Sequence, residues 1–184
     1  MRYSTLILAV LISPSVACGA KDTGEGAAKK PDAPATSVAS AADLPDPCSL
    51  VTDEQVSELL WRGMDASQRA SLQAKGAKHV FTKRVENVET PAGRTCYFQY
   101  KRAAGDSVWG EGDFQLRTLA RQTFEMFAQS KPSSQKPIEG VGDQAFYLSN
   151  AAYGRRGSVG VEVVNFNSKD LEIELLKQAV AKLP

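Results

Sequence analysis

The sequence predicts an α+β domain: an antiparallel sheet packed with helices, in two or three layers, behind an export leader and a polar tether. Two observations predict it. Apolar residues recur at helical spacing in separate stretches, and the segments between them read as hairpins, which points to an antiparallel sheet and not a doubly wound parallel one.

The elements follow in order. Thr52 and Gln55 form a capping box, with Val51 and Val56 placed as a hydrophobic staple around it. Val56, Leu59 and Leu60 then make the apolar stripe of a first helix that Gly63 can end. Residues 65–75 predict a weaker helix, because Ala70, Leu72 and Ala74 give it only a thin apolar face. Strand composition runs through Val80, Val85 and Val88, turns at Pro91-Ala92-Gly93-Arg94 and returns from Thr95 to Lys101, a hairpin. Gly105-Asp106 is a further turn, and Asp113 to Leu119 reads as a strand passing into a helix. Ala120, Phe124, Phe127 and Ala128 share one face of that helix, which stops before Pro132. Two more strands are expected at Gln144–Leu148 and Ser158–Phe166, with Tyr153-Gly154-Arg155-Arg156-Gly157 as the separator. In the second, Val159, Val161 and Val163 alternate with Ser158, Gly160 and Glu162, the period of a half-buried strand. Ser168 can cap a last helix whose face carries Ile173, Leu176, Val180 and Leu183.

Three segments precede or carry this domain. Residues 1–17 read as a signal peptide: Arg2, an apolar run from Leu6 to Ile12, and small residues before Cys18. The run is too short to span a bilayer, which takes about 20 apolar residues. Ser15-Val16-Ala17-Cys18 looks like a lipobox with Ser15 where Leu is usual, so Cys18 is the expected lipidation site. Acyl chains there, palmitate among them, would anchor the chain durably at about 0.8 kcal/mol per buried methylene. Gly19 after the cysteine matches lipoproteins sent to an outer membrane, in a host that has one. Residues 18–46 are a polar tether too poor in large apolar groups to offset its ordering entropy. The single domain is expected over 47–184.

Lys and Arg total 22 and Asp and Glu 21, and loss of Arg2 with the leader leaves 21 of each. Balanced charge gives no electrostatic basis for nucleic acid as a partner. With Cys18 on the lipid, Cys48 and Cys96 remain as a pair in an oxidising compartment, which reads as a disulfide.

The opening Asp46-Pro47-Cys48-Ser49-Leu50-Val51-Thr52, the later Cys96-Tyr97 and Gly140-Val141-Gly142-Asp143-Gln144-Ala145-Phe146 resemble a family of bacterial lipoprotein domains of unknown function. The resemblance runs over about 46–183. It implies a cell-envelope location and an α/β sandwich similar to PsbP-like domains, and it supplies no catalytic residues. The stretch from Asp65 to Lys75 and the lipobox depart from the family pattern.

The search for chemistry gives little. His79 is the only histidine, with no activated nucleophile recognisable beside it in sequence. With the cysteines committed, a zinc site lacks ligands, and no metal or cofactor is expected. Gly140-Val141-Gly142-Asp143 lacks the Lys-Ser/Thr of a P-loop and reads as a turn. Asp106, Glu111 and Asp113 do not match an EF-hand loop and read as solvated carboxylates. Trp109, Tyr153, Arg155 and Arg156, placed on loops, are the expected binding surface, since aromatic and arginine side chains dominate binding hot spots. The function expected is therefore a non-enzymatic envelope lipoprotein. It would be held to the membrane through Cys18 and would bind an envelope protein or wall component. The alternative is a small-ligand carrier or hydrolase using a cleft between sheet and helices.

Overall fold

The computed structural model describes residues 40–89, 92–130 and 132–184. The leader, Cys18 and the tether through residue 39 lie outside the described residues. The order is α1 (Asp53–Arg62), α2 (Ala66–Ala74), β1 (Lys78–Glu89), β2 (Ala92–Ala104), β3 (Ser107–Ala120) and α3 (Arg121–Gln129). There follow β4 (Lys136–Pro137), β5 (Gln144–Leu148), β6 (Ala151–Arg156), β7 (Val159–Val164) and α4 (Lys169–Ala181). Short 3₁₀ turns stand at Ala41–Asp43, Pro47–Ser49 and Pro132–Ser134. The strands form one antiparallel sheet ordered β1-β2-β3-β7-β6-β5-β4, which is two meanders whose last strands meet at β3 and β7. The expected α+β class is thus what the chain adopts.

Register decides which side chains share a face, because successive residues of a strand point to opposite sides. Pairing of Cys96 with Leu116 and Leu116 with Val163, and of Phe98 with Phe114, puts these residues on the face that α1 and α4 cover. Phe98 and Phe114 stack at 4.4 Å and Phe166 meets Phe114 edge-on at 4.8 Å, so this layer is filled by aromatic rings. The opposite face carries Leu119, Phe146, Leu148 and Tyr153 against Phe124 and Phe127 of α3. Helix α3 covers the β3–β7–β6–β5 part of that face and leaves β1 and β2 open. Thr82, Arg84, Gln99 and Asp113 on β1–β3 stay exposed, so the domain is three layers deep over β7 and two over β1 and β2.

The first helix forms as its sequence dictates. Thr52 accepts from the Gln55 N–H at 3.2 Å, and the Gln55 side chain accepts from the Thr52 N–H at 2.9 Å. Val51, Val56, Leu59 and Leu60 are all buried. Cys48, in the turn before it, is bonded to Cys96 of β2, with 5.2 Å between Cα atoms.

Several expectations need correction. The domain starts near Ala41 and not at 47: Ala41 and Leu44 are buried, Arg94 donates to the Leu44 carbonyl at 2.8 Å, and Thr118 donates to the Pro45 carbonyl at 2.9 Å. The stretch read as a separator around Tyr153 is strand β6. Gly154 there brings Val180 of α4 so close that a Cβ would stand 2.9 Å from its methyl, the close approach that a glycine within a strand often marks. Strand β7 is buried on both faces, because Phe124 of α3 lies over Gly160. Ser168 stands at the α4 N-cap without a side-chain cap bond; of the expected face Leu176, Val180 and Leu183 are buried, joined by Leu175 and Ala179, while Ile173 is only partly buried. Gly63 ends α1 in right-handed geometry (φ −73°), so its glycine answers to crowding by Asn167 and Leu171 and not to a left-handed cap.

Candidate functional site

The chain's single histidine and both of its tryptophans lie at one end of the sheet, His79 against Trp61 and Trp109 in a groove wall with Arg102. Helix α1 runs antiparallel to β1, which sets Asp53 against Lys83 and Ser57 against His79. Trp61 follows Ser57 by one helical turn and so shares its face. Its indole lies on the His79 ring with 4.5 Å between centroids. On the sheet side, the β1–β2 register places Arg102 opposite His79, and the Arg102 Nε–H donates to His79 Nε2 at 3.2 Å. The guanidinium lies 5.2 Å from the Trp61 ring centre. Tyr100 and Phe81 continue the aromatic surface, 5.8 and 6.2 Å from His79. Trp109 joins from the start of β3, just beyond the Gly105-Asp106 turn.

The hydrogen bonds fix the state of His79. Arginine can only donate, so Nε2 is the unprotonated ring nitrogen and the proton sits on Nδ1. That Nδ1–H then donates to Ser57 Oγ at 2.9 Å. A base that activates a serine must accept its proton, and the nitrogen facing Ser57 is already occupied. Burial, and secondarily the Arg102 charge, pull the His79 pKa down to about 4, so the ring is neutral at physiological pH. In this arrangement His79 orients Ser57 and Arg102.

Helix α2 stands beside this cluster and buries none of its residues. Asp65 caps it, accepting from the N–H groups of Ser67 and Gln68, and Gly76 leaves it in a left-handed conformation (φ +77°). Between α2 and the β2–β3 tip lies an open groove of about 500 Å³ bordered by Met64, Ser67, Gln68, Leu72, Arg102 and Trp109. A second groove of about 590 Å³, between α1 and α2, has Ser57, Trp61 and Arg69 in its wall. A volume of this size takes a ligand of a few residues or sugar rings.

The four residues expected to form a binding surface are split. Trp109 lies at the cluster just described. Tyr153 is buried in β6, packed against Phe146 at 5.0 Å and Phe127 at 5.3 Å, its hydroxyl donating to Glu162 at 2.7 Å. Arg155 is held by Asp143 at 3.5 Å and the Gly157 carbonyl at 2.6 Å, with its guanidinium over Phe124. Arg156 is exposed and donates to the Ala181 carbonyl at 3.3 Å. Arg156 pairs with Val159, which pairs with Ala120, so it sits at the far end of β3 from Trp109, about 35 Å away at strand rise.

Other candidates resolve into structural roles. Gly140 and Gly142 take left-handed conformations in a turn whose Asp143 accepts from the Gly157 N–H at 2.7 Å. Glu111 and Asp113 belong to β3 and not to a loop, and no metal-holding group of three or more His, Cys, Asp or Glu occurs among the described residues. Among the described residues two carboxylates are buried, Glu162 facing α3 and Glu172 accepting from the Phe166 N–H at 3.0 Å on the opposite side of the sheet. Separated by the sheet, they cannot act as an acid–base pair. Burial raises the Glu172 pKa, and burial together with Glu172 raises that of Tyr147 to about 12.

Sequence reasoning did not bring together Trp61, Ser57, Arg102 and Trp109 around His79. One signal was available: a hairpin turning at 90–91 pairs 79 with 102. Nothing local shows that α1 lies over that pair. Compared with family models, curated proteins and solved structures, the chain matches none.

Proposed function

We propose that the chain is an envelope lipoprotein whose domain is a binding module, and that its recognition surface is the Trp61–His79–Arg102–Trp109 end of the sheet. The observation that carries this reading is compositional as well as geometric. The only histidine and both tryptophans gather with an arginine beside two open grooves, and the histidine is bonded so as to hold its neighbours in place. Tryptophan and arginine are the side chains that contribute most at recognition surfaces. The envelope location rests on the leader, on Cys18 and on the Cys48–Cys96 disulfide, a bond that persists in oxidising compartments.

The chain enters the domain at the opposite end of β2. Leu44 and Pro45 are bonded near Arg94, about 26 Å along the strand from Arg102.

The test is purification of the tagged, full-length protein from cells with everything it retains, beside Trp109→Ala and Arg156→Ala. The proposal expects partner recovery to drop several-fold for Trp109→Ala alone, with both variants melting within a few degrees of the parent. Equal recovery from all three would remove the surface from consideration.

A further inference from the structure

The groove between α2 and the β2–β3 tip carries a further inference about what is recognised, which rests on the reading just given. We infer that Arg102 is a hook for a carboxylate, carried by a ligand that also lays an apolar group against Trp109.

The guanidinium is fixed before any ligand arrives. Its Nε–H is used on His79, and its guanidinium carbon lies over the Trp61 ring, 5.2 Å from the centroid. The ion pairs among the described residues engage Arg84, Arg117, Arg121, Arg155, Lys83 and Lys177, and Arg102 is in none of them. A half-buried arginine held on one edge, with no carboxylate of its own, has terminal N–H groups to give to a planar anion. Such charge-assisted, forked bonds are the strong kind, and orienting the fork in advance lowers the cost of forming them.

The rest of the wall narrows the class. Among the described residues Arg102 is the one cation bordering this groove, so it suits a single carboxylate and not a polyanionic chain. Ser67, Gln68 and Ser71 add uncharged hydrogen-bonding groups from α2, while Met64, Leu72 and Trp109 add apolar surface. The shared chemistry is a carboxylate beside a compact apolar or ring-shaped group. A peptide terminus offers it, and so does an acidic sugar of a wall polymer.

Both tryptophans of the chain lie at this end, so intrinsic fluorescence and the two indole N–H resonances report on it directly. The full-length protein is titrated with two matched pairs: N-acetylphenylalanine against its amide, and N-acetylmuramic acid against N-acetylglucosamine. At least one acid should bind about tenfold more tightly than its neutral counterpart, the pair that responds naming the source. Arg102→Gln, which keeps a donor for His79, should abolish the difference, and Arg102→Lys should leave part of it. Two results overturn the inference: no acid preferred over its neutral partner, or a preference that survives Arg102→Gln in a folded variant. Equal binding of acid and neutral forms, lost in Trp109→Ala, would discard the hook yet leave the recognition surface standing. Silence from all four probes would discard the hook too, and the surface would then be judged by partner recovery alone.

Discussion

Acidification should destabilise this domain through His79. The folded-state pKa is about 4 against 6.5 for the free side chain, because the ring is half-buried between Trp61 and β2 and faces the Arg102 guanidinium. Between those two values the unfolded chain takes up a proton that the folded chain refuses. Stability therefore rises with pH from about 4 to 6.5, is complete above 6.5, and is lost as pH falls through that window. The full gap corresponds to about 3 kcal/mol. Solvent reaches part of the ring, which reduces the effect to about 1–2 kcal/mol. Glu172 works in the opposite sense, since burial raises its pKa and acid relieves that cost. The comparison that isolates His79 is therefore urea unfolding of the parent and His79→Gln at intervals from pH 4 to 7.5, followed by tryptophan fluorescence. The parent should lose about 1–2 kcal/mol more than the variant over this range. The sole histidine can also be titrated by NMR in the folded protein. A midpoint near 6.5, with parallel stability curves, would refute the assignment of Nε2 as a buried acceptor.

Other consequences follow from the packing. Replacing Cys48 and Cys96 by Ala frees a loop with a sequence separation of 48 residues and should cost about 4 kcal/mol, read as a lowered urea midpoint. Phe98→Ala opens a cavity against Phe114 in the face under α1 and α4, and chemical unfolding should show a loss of about 3–5 kcal/mol. Gly142→Ala forces a side chain onto a left-handed residue (φ +56°) facing the Arg155 carbonyl and Val180. Calorimetry should show destabilisation of about 2 kcal/mol or more. Trp109→Ala touches none of the buried core and should leave the melting temperature within about 2 °C of the parent.

What was legible in the sequence was what local chemistry decides. The Thr52–Gln55 box and the stripe Val56-Leu59-Leu60 rest on neighbours a few residues apart and formed as read, and the hairpin formed as well, although Ala92, Gly93 and Arg94, read as part of its turn, belong to β2. Strand β6 was missed because Gly154, Arg155 and Arg156 have turn composition. Only the tertiary structure explains them, with Gly154 lying under α4 and Arg155 covering Phe124. The strap from Ala41 to Pro45 was missed for a related reason, since one alanine and one leucine carry no periodic signal. The candidate site was half legible. Trp109 was singled out by its type, whereas Tyr153, Arg155 and Arg156 were grouped with it only because β6 had been read as a loop. The Trp61–His79–Arg102 cluster depends on α1 lying antiparallel along β1, a contact between elements that no single stretch encodes.

The most direct test of the recognition surface is site-specific photo-crosslinking in living cells. A photoreactive residue is placed at position 109 in one variant and at position 156, the far end of the sheet, in another. A discrete adduct from 109 and none from 156 is the predicted result; an adduct from 156 alone would contradict the account.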